Sequence, residues 1–475
     1  MSSPDLLLRD VEVDGARVDV AIAHGRIDAI GRSLVPAPSA EVIDGNGGAL
    51  IPGLHDHHVH LFAAAAARES LAVGPADVID EHGLSRTLRE ADAAIAPGGW
   101  LRAVGYHESV AGDLDRDRLD GIVATRPVRV QHRSGARWTF NTAAIDALDL
   151  ARRDHPGIER DATGRPTGPL HRADDWLRGL LPPDEVPDLA PLIADLAARG
   201  VTGVTDTTPS TDLRDLDALA HGLARAGHPL RVLVTGSPAL ADCTAPAGLE
   251  QGPVKLVIDD GAYPSLDEVA EQLAHAHRSD RPAAVHCVTL PALVLALAAW
   301  DVAGAHPRDR IEHGAVIPPA LFDAIARHGL TVVTQPGFVA ERGDAYLREV
   351  EPDDLQDLYR CRTLLDAGIR VAASTDAPYT AADPWAAMRA AVCRRTRRGQ
   401  PVGAEEAVAP AVALRLFLGD PHDPGGQLRT VTVGARADLC LLARPWSAVL
   451  DRLTADDVVA TVCSGRVVHD ARGTR

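Results

Sequence analysis

The chain begins with short runs in which apolar and polar residues alternate. LLLRDVEV, RVDVAIAHGRIDAIG and AEVIDGNGGAL lie within residues 5–50, with turn residues between them. That is the pattern of half-buried strands. The same texture returns near the C-terminus in TVTVGARADLCLLA and DDVVATVCSGRVVHD. Residues 1–50 together with 427–475 are therefore expected to form one small β-sandwich domain from both ends of the chain.

The middle of the chain alternates short apolar runs with stretches of helical period such as LDEVAEQLAHAHRS and PALFDAIARHG. Strand candidates fall at 49–61, 200–206, 230–236, 253–259, 282–288, 310–314, 330–336 and 369–376. Such a βα series predicts a parallel sheet or a closed (β/α)8 TIM barrel over 51–426. Residues 61–190 interrupt the series after its first strand. They carry strand candidates of their own at 100–106 and 127–132 and are expected to form an insertion subdomain, with 180–188 as its exit. The fold class is α/β.

Composition narrows the partners. A formal charge of −18 and an aromatic content of 3% argue against a nucleic-acid or anionic-membrane partner, since either needs a basic or base-stacking face. The six cysteines are scattered, which indicates neither a zinc knuckle nor a redox motif. The start lacks a basic and apolar leader, and the longest apolar run, near 292–300, is too short to span a bilayer. A soluble, cytoplasmic protein is expected, with a small-molecule substrate and, as the commonest homo-oligomer, a homodimer.

The ends of the strand candidates carry the chemistry. Four of the 20 histidines fall between positions 55 and 60. Residues two apart on a strand share a face, so His58 and His60 can face one metal ion. His286 ends the fifth candidate, His313 the sixth and Asp376 the eighth. The fourth carries Lys255. Of 48 basic residues, 47 are arginine and this one is lysine. Arginine stays protonated, whereas a buried lysine can lose its proton and act as a nucleophile. A single histidine in a strand is ordinarily a satisfied core residue, and a single aspartate after one is often a helix cap. Their convergence on the C-terminal ends of barrel strands, where such barrels place their chemistry, is what singles them out.

With PGLHDHHVHL (52–61), VKLV (254–257), AVHC (284–287), RIEHG (310–314), STDAP (374–378) and GARADLCLL (434–442), the chain resembles the metal-dependent amidohydrolase superfamily. WLRAVGYHES (100–109), the stretch 119–145 and GRPTGPL (164–170) make it most similar to the YtcJ-type, or amidohydrolase 3, branch. The resemblance implies one or two divalent metals, zinc by default. His58, His60 and Asp376 would hold one and His286 and His313 the other, with carbon dioxide on Lys255 as a bridging carbamate. It implies a metal-bound hydroxide as nucleophile, with Asp376 and His313 as the catalytic residues, Asp376 serving as proton shuttle. The expected reaction is hydrolysis of an amide or N-acyl C–N bond. His55 and His57 would orient the ligands. Tyr106, His107, Arg133, Arg137, Trp138, Asn141 and Gln335 are substrate-pocket candidates, with Arg133 or Arg137 placed to bind a carboxylate.

Departures from the branch pattern bear on substrate, among them CVTL after His286 where the branch often reads AIGD. Ala136 stands where the branch usually has histidine, Arg172 where it often has glutamate, and the long segment after strand 4 is missing. Other chemistries remain open: a mononuclear deaminase of an amino-heterocycle, an ester or lactone hydrolase, or a non-catalytic scaffold. Full activity of Lys255→Arg would favour the deaminase, a substrate panel would separate the esterase, and absence of metal binding would favour the scaffold.

Overall fold

The structure is a computed structural model and describes residues 5–181, 186–237, 240 and 243–472. Residues 182–185, within the expected exit of the insertion, lie outside the described residues. The chain divides into two compact units, Met1–Leu61 with Asp188–Arg475, and Phe62–Pro187.

The first unit is built on an eight-stranded parallel sheet. Its strands are β1 (Leu54–Val59), β2 (Val201–Asp206), β3 (Arg231–Gly236), β4 (Leu249–Val257), β5 (Ala283–Cys287), β6 (Arg310–His313), β7 (Thr331–Thr334) and β8 (Arg370–Ala373). Each pairs in parallel with the next. The ring closes where Asp376 N donates to His58 O (2.8 Å) and His60 N to Ala377 O (2.9 Å). All eight strand candidates are strands of this barrel. The last ends at Ala373, short of its apolar run, and Asp376 beyond it adopts φ 60°, a left-handed conformation.

Helices form between the strands where caps and period agree. Leu266–Arg278 starts at a Ser265–Glu268 capping box and buries Val269, Ala270, Leu273 and Ala276, one stripe of a 3.6-residue period. Among the described residues, no helix is long and apolar enough to cross a membrane.

Two four-stranded sheets belong to the same unit. One has the order Arg26–Gly31, Ala16–Ala23, Leu6–Val13, Glu41–Asp44; the other Arg466–Asp470, Val458–Cys463, Leu439–Leu442, Leu50–Pro52. Their shared core holds Leu6, Leu8, Val11, Val20, Ile22, Leu439, Leu441 and Val462. The ladder slips between Leu8 and Val11. The bulge resets the phase of alternation so that Val11 and Val13 rejoin the apolar face of Leu6 and Leu8.

The second unit holds a six-stranded sheet, in the order Ile158–Arg160, Pro166–His171, Arg137–Phe140, Val128–His132, Leu101–Tyr106, Leu71–Ala72. Alternation revealed the two strands starting at Leu101 and Val128. Of the other four, Leu71–Ala72, Arg137–Phe140 and Ile158–Arg160 are shorter, and PTGPLH is interrupted by proline and glycine, which hides its period.

Candidate metal centre

β1 is buried along its whole length. His55 Nε2 lies 2.9 Å from Thr205 Oγ1, and the His55 and His57 rings are 4.7 Å apart. Asp56 accepts the Thr375 backbone N–H (2.9 Å) and hydroxyl (2.5 Å). These bonds stitch β1 to the segment that carries Asp376. Burial raises the Asp56 carboxyl to about 7, against the pull of the Thr375 hydrogen bonds.

His58 is fully buried and donates from Nδ1 to Glu312 Oε2 at 2.5 Å. An ionised carboxylate only accepts, so this bond fixes the tautomer and leaves Nε2 as a lone pair. That Nε2 lies 3.5 Å from Asp376 Oδ1, and His60 Nε2 lies 3.3 Å from the same oxygen. One ligand atom from each of His58, His60 and Asp376 falls within 4.8 Å of the others.

His313 adopts φ 69° at the end of β6, next to Gly314. Its Nδ1 lies 2.9 Å from Gln335 Oε1. Gln335 Nε2 donates to Val333 O (3.1 Å) and Ser374 Oγ (3.0 Å), so Oε1 is the acceptor and His313 Nδ1 the donor. The His313 ring is 4.7 Å from the His58 ring and 4.5 Å from that of half-buried His286.

Burial is the main cause that holds His58 and His313 well below the ordinary imidazole pKa, with positive neighbours including Lys255 adding to it. Both are therefore neutral, the form that binds metal. Lys255 is buried, and burial lowers its pKa against the attraction of Glu312 and Asp376. Asp376 is raised by burial and pulled back by His60, Lys255 and Arg342.

His58 Nε2, Asp376 Oδ1 and Lys255 Nζ are buried without a hydrogen-bond partner. Orphaned buried polar atoms are costly, and three in one neighbourhood call for a shared occupant. Two imidazole lone pairs and a carboxylate oxygen fit a divalent cation.

The sequence missed the two residues behind this arrangement. Glu312 orients His58. Arg310 Nε lies 2.6 Å from Glu312 Oε1, with both side chains excluded from solvent. The signal was present in RIEHG, where Arg310 and Glu312 sit two apart and so share a face of β6.

The pocket candidates fare differently. Gln335 is engaged with His313, Val333 and Ser374, which makes it a positioning residue. Asn141 was expected at a substrate pocket. Instead it is buried, accepts from Val128 N and Ala144 N, and donates to Val123 O and Arg126 O. All four of its hydrogen-bonding sites hold the insertion's own fold. The Tyr106 hydroxyl donates to Gly112 O (2.6 Å), and Trp138 Nε1 to Asp174 Oδ1 (2.8 Å). Arg137 Nη2 donates to Leu114 O (2.9 Å), and Arg133 N donates to Tyr106 O (2.8 Å). Arg172 N donates to Ala136 O (2.8 Å), so the two substituted positions are backbone partners.

His107 belongs to a second histidine–carboxylate cluster, inside the insertion. His107, Glu108 and His132 also place ligand atoms within 4.8 Å of one another. His132 Nε2 lies 3.1 Å and His107 Nε2 3.6 Å from Glu108 Oε2.

A sequence profile described as the amidohydrolase family matches residues 41–469. The chain is 26% identical to the N-substituted formamide deformylase of Arthrobacter pascens, over 96% of this chain and 95% of that protein. It is 25% identical to the putative amidohydrolase YtcJ of Bacillus subtilis (strain 168), over 91% of each. The fold is similar to that of an uncharacterized metal-dependent hydrolase from Pyrococcus furiosus, with a TM-score of 0.67 at 21% identity, covering 92% of this chain and 99% of that one. The profile runs through the barrel, the insertion and the C-terminal strands, and the chain belongs to the amidohydrolase family.

Proposed function

We propose that the chain hydrolyses a C–N bond, an amide or N-acyl linkage, in a small molecule, while His58, His60 and Asp376 hold a divalent cation. The carrying observation is the pair of buried, unpartnered atoms, His58 Nε2 and Asp376 Oδ1, with His60 Nε2 beside them. Zinc suits two nitrogens and an oxygen with a position left open. Such a cation, when bound, lowers the pKa of water toward neutrality and polarises a carbonyl. Likeness to a formamide deformylase supports an amide as the bond cleaved.

The remaining steps belong to the chain. Water adds to the carbonyl carbon, and Asp376 takes the proton it releases. Asp376 then returns that proton to the leaving nitrogen as the C–N bond breaks. Burial supports this role, because it raises the carboxyl's affinity for a proton. His313 Nδ1 lies 3.8 Å from Asp376 Oδ2 and, with Gln335, restricts where that carboxylate can point.

Lys255 extends the proposal. Its buried amine, lowered in pKa and without a hydrogen-bond partner, is suited to attack carbon dioxide. A C–N bond forms, an N–H proton leaves, and the resulting carbamate is an anionic oxygen donor. His286 and His313 would then face a second cation.

One observation favours a second reading. Within the barrel unit, only His58, His60 and Asp376 form a compact ligand group among the described residues. A single cation without the carbamate would suit a mononuclear deaminase of an amino-heterocycle.

Metal per chain, measured on protein purified without chelator and with bicarbonate present, separates these readings. About two equivalents are expected for the carbamate-bridged site. One equivalent, with Lys255→Arg fully active, would favour the deaminase. No metal, and none taken up on addition, would overturn both.

A further inference from the structure

We propose that the barrel binds a small monatomic anion, such as chloride, in its interior beneath the metal centre, between Arg310 and His57. The site is separate from the metal ligands and does not depend on the reaction assigned above.

Two strands define it. Ala284 and Arg310 are partners across β5 and β6, as are His286 and Glu312. Residues two apart on a strand share a face, so Arg310 points the same way as Glu312, whose Oε2 meets His58 inside the barrel. On β1, the ladder to β2 slips between Asp56 and Val59. The slip lets His57 stay beside His55, their rings 4.7 Å apart, while His58 turns to the metal centre. Barrels of this kind usually fill such a layer with branched apolar side chains. Here it holds Arg310 at 1% exposure and His57 at 0%.

The count of donors points to an anion. Arg310 Nε lies 2.6 Å from Glu312 Oε1, but Nη1 and Nη2 are buried without a hydrogen-bond partner. These two nitrogens carry all but one of the guanidinium's N–H groups. Both ring nitrogens of His57 are unpartnered as well. The other oxygen of Glu312 is engaged with His58. A second guanidinium stands close by. A Cβ on Gly419 would lie 3.6 Å from His57 Nε2, and Gly419 O accepts from Arg429 Nε at 3.1 Å. Burial holds the His57 ring below the ordinary imidazole pKa, Arg310 and Arg429 push it lower, and Glu312 opposes them. Arginine offers no acceptor, and a neutral imidazole offers one N–H and one lone pair. A water molecule here would bring O–H donors of its own into a space already short of acceptors. A halide accepts from Arg310 and His57 together and adds none. The two guanidinia also favour its charge, and strongly so at low local dielectric. Because Arg310 and His57 are sealed from solvent, the occupant is limited to a small ion.

The competing occupant is water. The test uses the metal-loaded full chain and bromide as the probe. Crystals soaked in bromide are measured at the bromine absorption edge. Thermal unfolding is compared in bromide, chloride and gluconate at constant ionic strength. An anomalous peak beside Arg310 and His57 is expected. The halide-minus-gluconate difference in unfolding temperature should exceed that of Arg310→Met by about 2 °C or more. Arg310→Met should also lose the peak. No peak at this position, or a halide difference equal in wild type and variant, would overturn the proposal and leave the layer to water. A peak at exposed arginines alone would be binding at crystal concentration only and would overturn it too. Should Arg310→Met fail to fold, His57→Phe takes its place in the same comparison.

Discussion

Two clusters in this molecule are made of the same parts, two histidines and a carboxylate, and their hydrogen bonds set them up for opposite chemistry. In the barrel, His58 gives its Nδ1–H to Glu312, which leaves Nε2 as a lone pair aimed at Asp376. In the insertion, the Ser109 backbone N–H donates to His107 Nδ1, and the Ser134 backbone N–H donates to His132 Nδ1, each at 3.2 Å. A nitrogen that accepts carries no proton, so in both rings the proton sits on Nε2 and points toward Glu108. One arrangement leaves lone pairs without donors; the other satisfies its carboxylate with N–H groups. Residue type and spacing alone do not make a metal site. The partner of the far ring nitrogen decides.

The largest effect expected from this difference is at Asp376. Asp376→Asn should lower kcat/KM by roughly 10²–10⁴-fold through loss of the proton carrier and should also reduce bound metal. Elemental analysis and steady-state rates on the same preparation check it. Unchanged rates with full metal would remove Asp376 from the chemistry.

Next is Glu312→Gln. The amide can still accept from His58 Nδ1, but it loses its charge and leaves buried Arg310 without its anion. A weakening of metal affinity by roughly 10–100-fold is expected, read by competition with a coloured chelator. An affinity like the wild type's would show that the tautomer of His58 is set by something other than this carboxylate.

Glu108→Gln is the matched change in the other cluster. It should leave metal content untouched and cost about 1 kcal/mol of stability, the net worth of an ordinary hydrogen bond, in chemical unfolding. If the variant lost one metal equivalent, the insertion would hold a metal and the contrast between the clusters would collapse.

The residues of the candidate barrel site stood out in the sequence because they are unusual residues at the ends of strands. Four histidines within 55–60, the lone Lys255 and Asp376 after an apolar run stand out against the pattern around them. What orients them was hidden. Glu312 reads as a polar residue in a strand, and only the packing of β6 beside β1's histidines shows that it meets His58 across 254 positions. Asn141 misled for a related reason. Its motif suggests a pocket, while the need it meets is local: two backbone N–H groups and two carbonyls around the start of Thr142–Ala147. The turn geometry that gives His107 and His132 their acceptor nitrogens was equally invisible. A His-x-Ser spacing does not announce a backbone N–H aimed back at the ring.

The smallest expected effect concerns pH and tests the tautomers directly. Burial lowers the His132 pKa, and Glu108 only partly offsets it. The folded state therefore binds fewer protons at this ring than the unfolded state, so stability is lost as pH falls from about 6.5, the unfolded value, toward the lower folded one. Glu108 is partly buried, which raises its pKa, but its own backbone N–H and the two histidines outweigh that and hold it below the ordinary value. Its contribution is present above about 4.3 and fades as pH drops through the folded pKa. Both groups thus make the insertion less stable in acid, in adjoining windows. NMR of the histidine rings is the sharper measurement. His132 should titrate below the ordinary range, and lower still in Glu108→Gln, where no anion favours the charged ring. Zinc added to the wild type should leave that titration unmoved, because a ring whose Nδ1 accepts from Ser134 N–H has no lone pair left at Nε2 to give. A titration abolished by zinc would mean that the Ser134 bond yields, and that the second cluster is a metal site after all.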